Sequence, residues 1–184
     1  FTPGLVAGWA GAVFLPLNTA YTLTEIEYFL GDAEPALVVC DPARRDGIAG
    51  VAKKTGVPAV ETLGKGQDGS LFDKAAAASE TFIDVARAPD DLAAILYTSG
   101  TTGRSKGAML SHDNLASNAL TLKDYWRFGA DDVLLHALPI FHTHGLFVAT
   151  NTILVAGASM LFLPKFDADK VFELMPRATT MMGV

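Results

Sequence analysis

The chain has 184 residues, 50% of them apolar and 18% charged, with a mean hydropathy of +0.30, which excludes disorder because enough apolar surface is available to offset chain entropy. A single cysteine, Cys40, excludes a disulfide scaffold and suits a reducing compartment such as the cytoplasm. The 14 Lys and Arg against 20 Asp and Glu give a net charge of -6, which argues against nucleic acid as the main partner, since phosphate neutralisation needs a basic face.

Apolar runs of strand length alternate with helical patterns. Ala12–Leu17 reads as a strand, and Thr24–Gly31 as a short helix with Thr24 as N-cap and Glu27 completing a capping box. Leu37–Cys40 reads as a buried strand, Arg44–Thr55 as a helix stopped by Gly56 and Pro58, and Ala59–Thr62 as a short strand. A surface loop at Gly64–Ser70 precedes an Ala-rich helix over Leu71–Ser79 and an exposed connection over Glu80–Pro89. Leu92–Tyr97 is the next strand, Thr98–Gly107 a Gly/Thr/Ser loop, and Ala108–Leu110 the returning strand. Ser111 then caps a helix reaching about Phe128, with Asp113 in its first turn, where the helix dipole favours an acid. The remaining elements are a strand at Val133–Ala137, a helix at Gly145–Val155, a strand at Ser159–Leu163, a helix at Ala168–Arg177 and a strand starting at Thr180.

Between Val133 and Pro164 there is no Lys, Arg, Asp or Glu. A membrane helix needs about 20 apolar residues. Pro139, His142, His144, Thr150, Asn151, Thr152 and Gly157 interrupt this run, so it reads as a buried strand, helix and strand, not a membrane span. The alternation predicts an α/β fold, a mostly parallel sheet flanked by helices on both faces. The chain opens without a start signal and ends inside an apolar run at Met181-Met182-Gly183-Val184. We therefore expect a piece of a larger domain.

The most informative segment is Tyr97-Thr98-Ser99-Gly100-Thr101-Thr102-Gly103-Arg104-Ser105-Lys106-Gly107. Its glycines let the backbone turn and approach a ligand closely. The hydroxyls of Thr98, Ser99, Thr101 and Thr102, with freed backbone N–H groups, can form an anion-binding concavity, and Lys106 adds a positive charge. Donors of this kind suit the phosphates of a nucleotide. The segment is not a Walker A loop, because Gly103 is followed by Arg-Ser-Lys-Gly and not by Lys-Ser/Thr.

Those eleven positions resemble the phosphate-loop signature Y-T-S-G-T-T-G-x-x-K-G of the adenylate-forming superfamily, which holds acyl-CoA synthetases, peptide-synthetase adenylation domains and luciferases. Family members mostly carry Pro before the Lys, where Ser105 stands here. Leu138-Pro139-Ile140-Phe141-His142-Thr143-His144-Gly145 resembles the P-x-F/Y-H-x-x-G segment of acyl-CoA synthetases. Gly11-Ala12-Val13 and Pro16-Leu17-Asn18 are similar to the family's early strand, so the likeness runs the length of the chain. Within the superfamily the wording most resembles bacterial malonyl-CoA synthetases, His144 in particular.

The resemblance implies residues 1–184 as a fragment of the AMP-binding N-terminal domain of an acid–thiol ligase. ATP and coenzyme A would be substrates beside a small carboxylate, with Mg²⁺ on the phosphates. It implies that Thr98, Ser99, Gly100, Thr101, Thr102, Gly103 and Lys106 hold the phosphates, with Thr101 the hydroxyl near the metal. His142 would be the catalytic residue that orients the carboxylate or lines the thioester tunnel, and His144 would face a second carboxylate. A buried second carboxylate needs a cation or several donors, since leaving it unpaired costs several kcal/mol. The family's adenine, ribose and hinge motifs and its C-terminal domain are not among these residues, so the chain alone is expected to be inactive. Another short or aryl carboxylate, an amino-acid adenylation domain or a non-catalytic nucleotide-binding module are the competing readings.

Read from the residues alone, His142 and His144 on an extended segment would face one side, as a metal pair does, but no Cys or acidic cluster lies beside them. His112 and His136 read as structural, Tyr125 and Trp126 as core, Arg44 and Arg45 as solvated, and Cys40 as unreactive.

Overall fold

The computed structural model describes residues 7–66, 68–98 and 104–184. They form two compact units, one of residues 18–83 and one of residues 84–184 with the stretch up to residue 17.

The first unit starts with helix α1, Leu23–Ala33. Its N-cap is Thr22, not Thr24, and the box closes with Glu25, not Glu27. Thr22-x-x-Glu25 and Thr24-x-x-Glu27 fit the same template, so the pattern alone left two registers open. The earlier one starts the helix about half a turn sooner, lets Ile26 N–H donate to Thr22 O at 3.0 Å, and leaves Glu27 to pair with Lys54 at 2.5 Å. Strand β1, Val38–Cys40, pairs in parallel with β2, Val60–Thr62, through helix α2, Arg45–Thr55. Ile26 and Leu30 of α1 close the core of this unit against Ile48, Val51, Ala52 and Val57. Arg44 is not merely solvated: its guanidinium donates to the carbonyls of Thr19 at 2.5 Å and Tyr21 at 2.7 Å. Burial pushes the Cys40 thiol up, against the pull of Arg44, which keeps it from the reactive thiolate form. Helix α3, Ser70–Ala76, ends earlier than the composition suggested.

In the second unit Ala12–Leu17 is not a full strand. Only Phe14 bridges to Ala94, its N–H bonding Ala93 O at 2.9 Å, and Pro16 has no N–H with which to continue a ladder. Strand β3, Leu92–Thr98, and β4, Lys106–Ser111, form an antiparallel hairpin. Ser111 caps α4, His112–Trp126, accepting from Asn114 N–H at 3.2 Å. Tyr125 and Trp126 are not core: Tyr125 is 81% exposed, because the buried side of α4 runs through Leu115, Ala119 and Leu122.

Strand β5, Val133–His136, sits between β6, Ser159–Phe162, and β7, Thr180–Met181, all parallel. Helical residues connect β5 to β6: a wide π-helical stretch at His144–Asn151 continues as α5, Thr152–Ala156. Helix α6, Ala168–Leu174, leads to β7 through a tight turn at Met175–Arg177, where Pro176 cannot extend the α ladder. The faces of β5 alternate as a doubly covered strand requires. Leu134 packs on Ala149 and Ile153, while Leu135 and Ala137 pack on Val171. This is the expected α/β arrangement. The uncharged run is the strand, helix and strand anticipated, and no helix among the described residues is long and apolar enough to cross a membrane.

Asp132 ties the amino ends of these strands together. Its carboxylate accepts from Gly129 N–H at 2.9 Å and Thr179 O–H at 2.8 Å, and Thr179 Oγ1 accepts from Val133 N–H at 2.9 Å. The Gly129 amide, then the Thr179 hydroxyl, hold the carboxyl below the usual aspartate range. A folded-state value below the unfolded one gives stability that is present above the unfolded value and lost as pH falls through the folded one. Acid unfolding should therefore show a component in and below the ordinary aspartate range that Asp132→Asn removes, read by circular dichroism across a pH titration.

Candidate functional site

Two candidate groups each follow the carboxyl end of a strand, where open α/β sheets bind ligands. The first lies in the β3–β4 hairpin, whose register pairs Tyr97 with Gly107 and Thr98 with Lys106. Thr98, Lys106 and Gly107 thus belong to the strands, and the connection is shorter than the predicted Thr98–Gly107 loop. A Cβ on Gly107 would sit 3.0 Å from Ile95 Cγ2 and 3.5 Å from Tyr97 Cζ, so side chains of β3 already cover that glycine. Ser99, Gly100, Thr101, Thr102 and Gly103, including the candidate metal hydroxyl, lie outside the described residues.

What is described fits an anion. Thr98 and Lys106 are both exposed. The Lys106 ammonium makes no ion pair among the described residues. The Thr98 hydroxyl reaches the Lys106 carbonyl only at 3.5 Å, which leaves it available as a donor. A charge and a hydroxyl are therefore presented side by side at the mouth of the connection.

The second group follows β5. His142 is exposed and His144 half-buried. They do not lie on an extended segment, since residues 140–142 turn and residue 143 is already helical. The parallel pairing expected of a metal pair is absent, and no cluster of three or more His, Cys, Asp or Glu suits a metal ion among the described residues. His142 is tied in locally: its N–H donates to Pro139 O at 3.4 Å, its carbonyl accepts from Leu146 N–H at 2.9 Å, and its Nδ1 lies 3.5 Å from His144 N. The imidazole is left facing solvent, able to meet a ligand. The π-helical stretch begins at His144, and such widened turns recur at functional sites.

Two features here escaped the sequence reading. Gly145 lies so close to the chain before it that a Cβ would stand 2.3 Å from Pro139 O. Thr150 is buried and donates to the Gly145 carbonyl at 2.9 Å. The polar run Thr150-Asn151-Thr152 inside an uncharged helix was the available signal. His136 is buried, as expected of a structural histidine, and its ring stacks at 5.1 Å, tilted, on Phe162.

Among relatives of known structure, ATP-bound MatB from Rhodopseudomonas palustris is 68% identical, with a TM-score of 0.93 over 98% of this chain and 36% of that one. The mitochondrial malonate–CoA ligase ACSF3 of Bos taurus is 35% identical over 92% of this chain and 29% of its own length. The indoleacetate–CoA ligase of Aromatoleum aromaticum is 36% identical over 95% of this chain and 35% of its own. The chain thus spans about a third of the length of these relatives. The model of the AMP-binding enzyme family matches residues 7–184. With the family's model matching nearly all of its length, the chain belongs to the AMP-binding enzyme family.

Proposed function

We propose that these residues form part of the N-terminal nucleotide-binding domain of a longer, AMP-forming acid–thiol ligase that converts malonate, ATP and coenzyme A into malonyl-CoA, AMP and pyrophosphate. The observation that carries this reading is 68% identity to an ATP-bound structure over 98% of the chain. A carboxylate oxygen attacks the α-phosphorus of ATP, and pyrophosphate leaves with the electron pair of the broken P–O bond. The CoA thiolate then attacks the acyl carbon, and AMP leaves. Neither step needs a covalent bond to the protein, so the work falls to positioning and to charge stabilisation.

Thr98 and Lys106, with Ser99 to Gly103 between them, hold the β- and γ-phosphates. Mg²⁺ bound near Thr101 would share that charge. The exposed imidazole of His142 orients the reacting carboxylate or lines the thioester tunnel, and half-buried His144 donates to the distal carboxylate. The single cysteine supports a cytoplasmic location.

Malonate is favoured by the donor at His144 and by relatives named as malonate–CoA ligases. An indoleacetate–CoA ligase of equal likeness supports an aryl carboxylate as the second reading. ATP–pyrophosphate exchange by the full-length enzyme separates them, screened over malonate, methylmalonate, acetate, indoleacetate and amino acids. Malonate should support the fastest exchange. Exchange with indoleacetate but not malonate would reassign the substrate, and ATP binding without exchange on any acid would make this a non-catalytic module. The 184 residues alone should give no thioester.

A further inference from the structure

His136 ends β5 and is 1% exposed. It shares the face of Leu134, so its ring meets the helical stretch that starts at His144. Its Nε2 lies 2.8 Å from the Gly145 carbonyl oxygen and 3.3 Å from Thr150 Oγ1. A carbonyl only accepts, so Nε2 carries the proton. Nδ1 is buried with no hydrogen-bond partner among the described residues. A leucine would fill similar space with no orphaned nitrogen, so packing alone does not account for an imidazole here.

The acceptor explains it. The Gly145 carbonyl and the Leu146 N–H belong to one planar peptide unit. One edge of that plane takes hydrogen bonds from His136 and Thr150. The other edge donates to the His142 carbonyl at 2.9 Å. Rotation of the plane would move His142 with it. We propose that His136 is a positioning residue: it clamps the Gly145–Leu146 peptide, and that peptide clamps the turn that presents His142 and His144.

The inference rests on the ligase reading for its kinetic test and on geometry alone for its spectroscopic one. In the full-length enzyme, His136→Leu should raise the KM for the carboxylate roughly tenfold while the KM for ATP moves less than about twofold, since a small misplacement acts on the group it misplaces. His136→Gln returns an N–H near the position of Nε2 and should recover most of the loss. Equal effects on both substrates, or a Gln variant no better than Leu, would overturn the clamp. Thr150→Val removes the second donor and should cost less than His136→Leu; a larger loss also counts against it. Nitrogen-15 NMR of the histidine rings reads the same claim without turnover. The wild type should show a slowly exchanging Nε2–H on His136, and His136→Leu should shift the ring signals of His142. Unmoved His142 signals defeat the clamp. A wild type that catalyses no carboxylate-dependent exchange defeats only the ligase reading.

Discussion

Lys106→Ala should slow acyl-adenylate formation by roughly 100-fold or more, the usual cost of removing one preorganised charge-stabilising donor. The side chain is exposed and makes no ion pair among the described residues, so its removal strands no charged partner among them. Thermal stability should stay within the range of an ordinary surface substitution, about 0.5 kcal/mol either way. The loss therefore belongs to the reaction and not to the fold. Lys106→Arg keeps the charge but replaces a compact ammonium by a planar fork, and should recover only part of the rate. The check is ATP–pyrophosphate exchange at saturating carboxylate with ATP varied. An alanine variant that exchanges at the wild-type rate would mean that the hairpin mouth does not hold phosphate.

The order of strands and helices was legible because the pattern is dictated by burial. β5 reads as an uncharged, mostly apolar run because Leu134 and Leu135 face two different helical layers, and such a strand has no solvent face. Helix ends were less legible, since Thr22-x-x-Glu25 and Thr24-x-x-Glu27 fit one pattern, and only the folded chain shows the first closing its box while Glu27 pairs with Lys54. Arg44 and Tyr125 went the other way from composition for one reason: exposure is set by what lies opposite. Arg44 finds two backbone carbonyls and Tyr125 finds none of the core it was expected to join. As candidates, Lys106 and His142 stood out through the family's motifs, which record spacing. Their placement at the paired end of a hairpin and on a helical turn was not, because a motif says nothing about register. The contacts of His136 and Thr150 with Gly145 were invisible for further reasons: the first joins a strand to a helix, and the second spans five residues inside a π-helical stretch, a spacing that ordinary helical periodicity does not bring together.

Gly145→Ala is the second large effect, and it tests the turn and not the loop. The added methyl would meet Pro139 O at 2.3 Å and Pro139 C at 2.9 Å, both backbone atoms that no rotamer change can move aside. Either the Pro139 segment or the start of the π-helical stretch has to shift. Overpacking of this kind costs about 1–3 kcal/mol, which urea unfolding should read as a lower midpoint at unchanged slope. The shift has a direction, because Gly145 carries the carbonyl held by His136 and the next amide holds His142. Movement there displaces the imidazole proposed to meet the carboxylate, and exchange should fall roughly 100-fold even at temperatures where the variant stays folded. Gly129→Ala is the matched control, since nothing lies within 4 Å of its added methyl. It should leave exchange unchanged and stability within about 0.5 kcal/mol. If the two variants melted and exchanged alike, the close approach of Gly145 to Pro139 would not constrain the turn, and His142 would owe its position to something else.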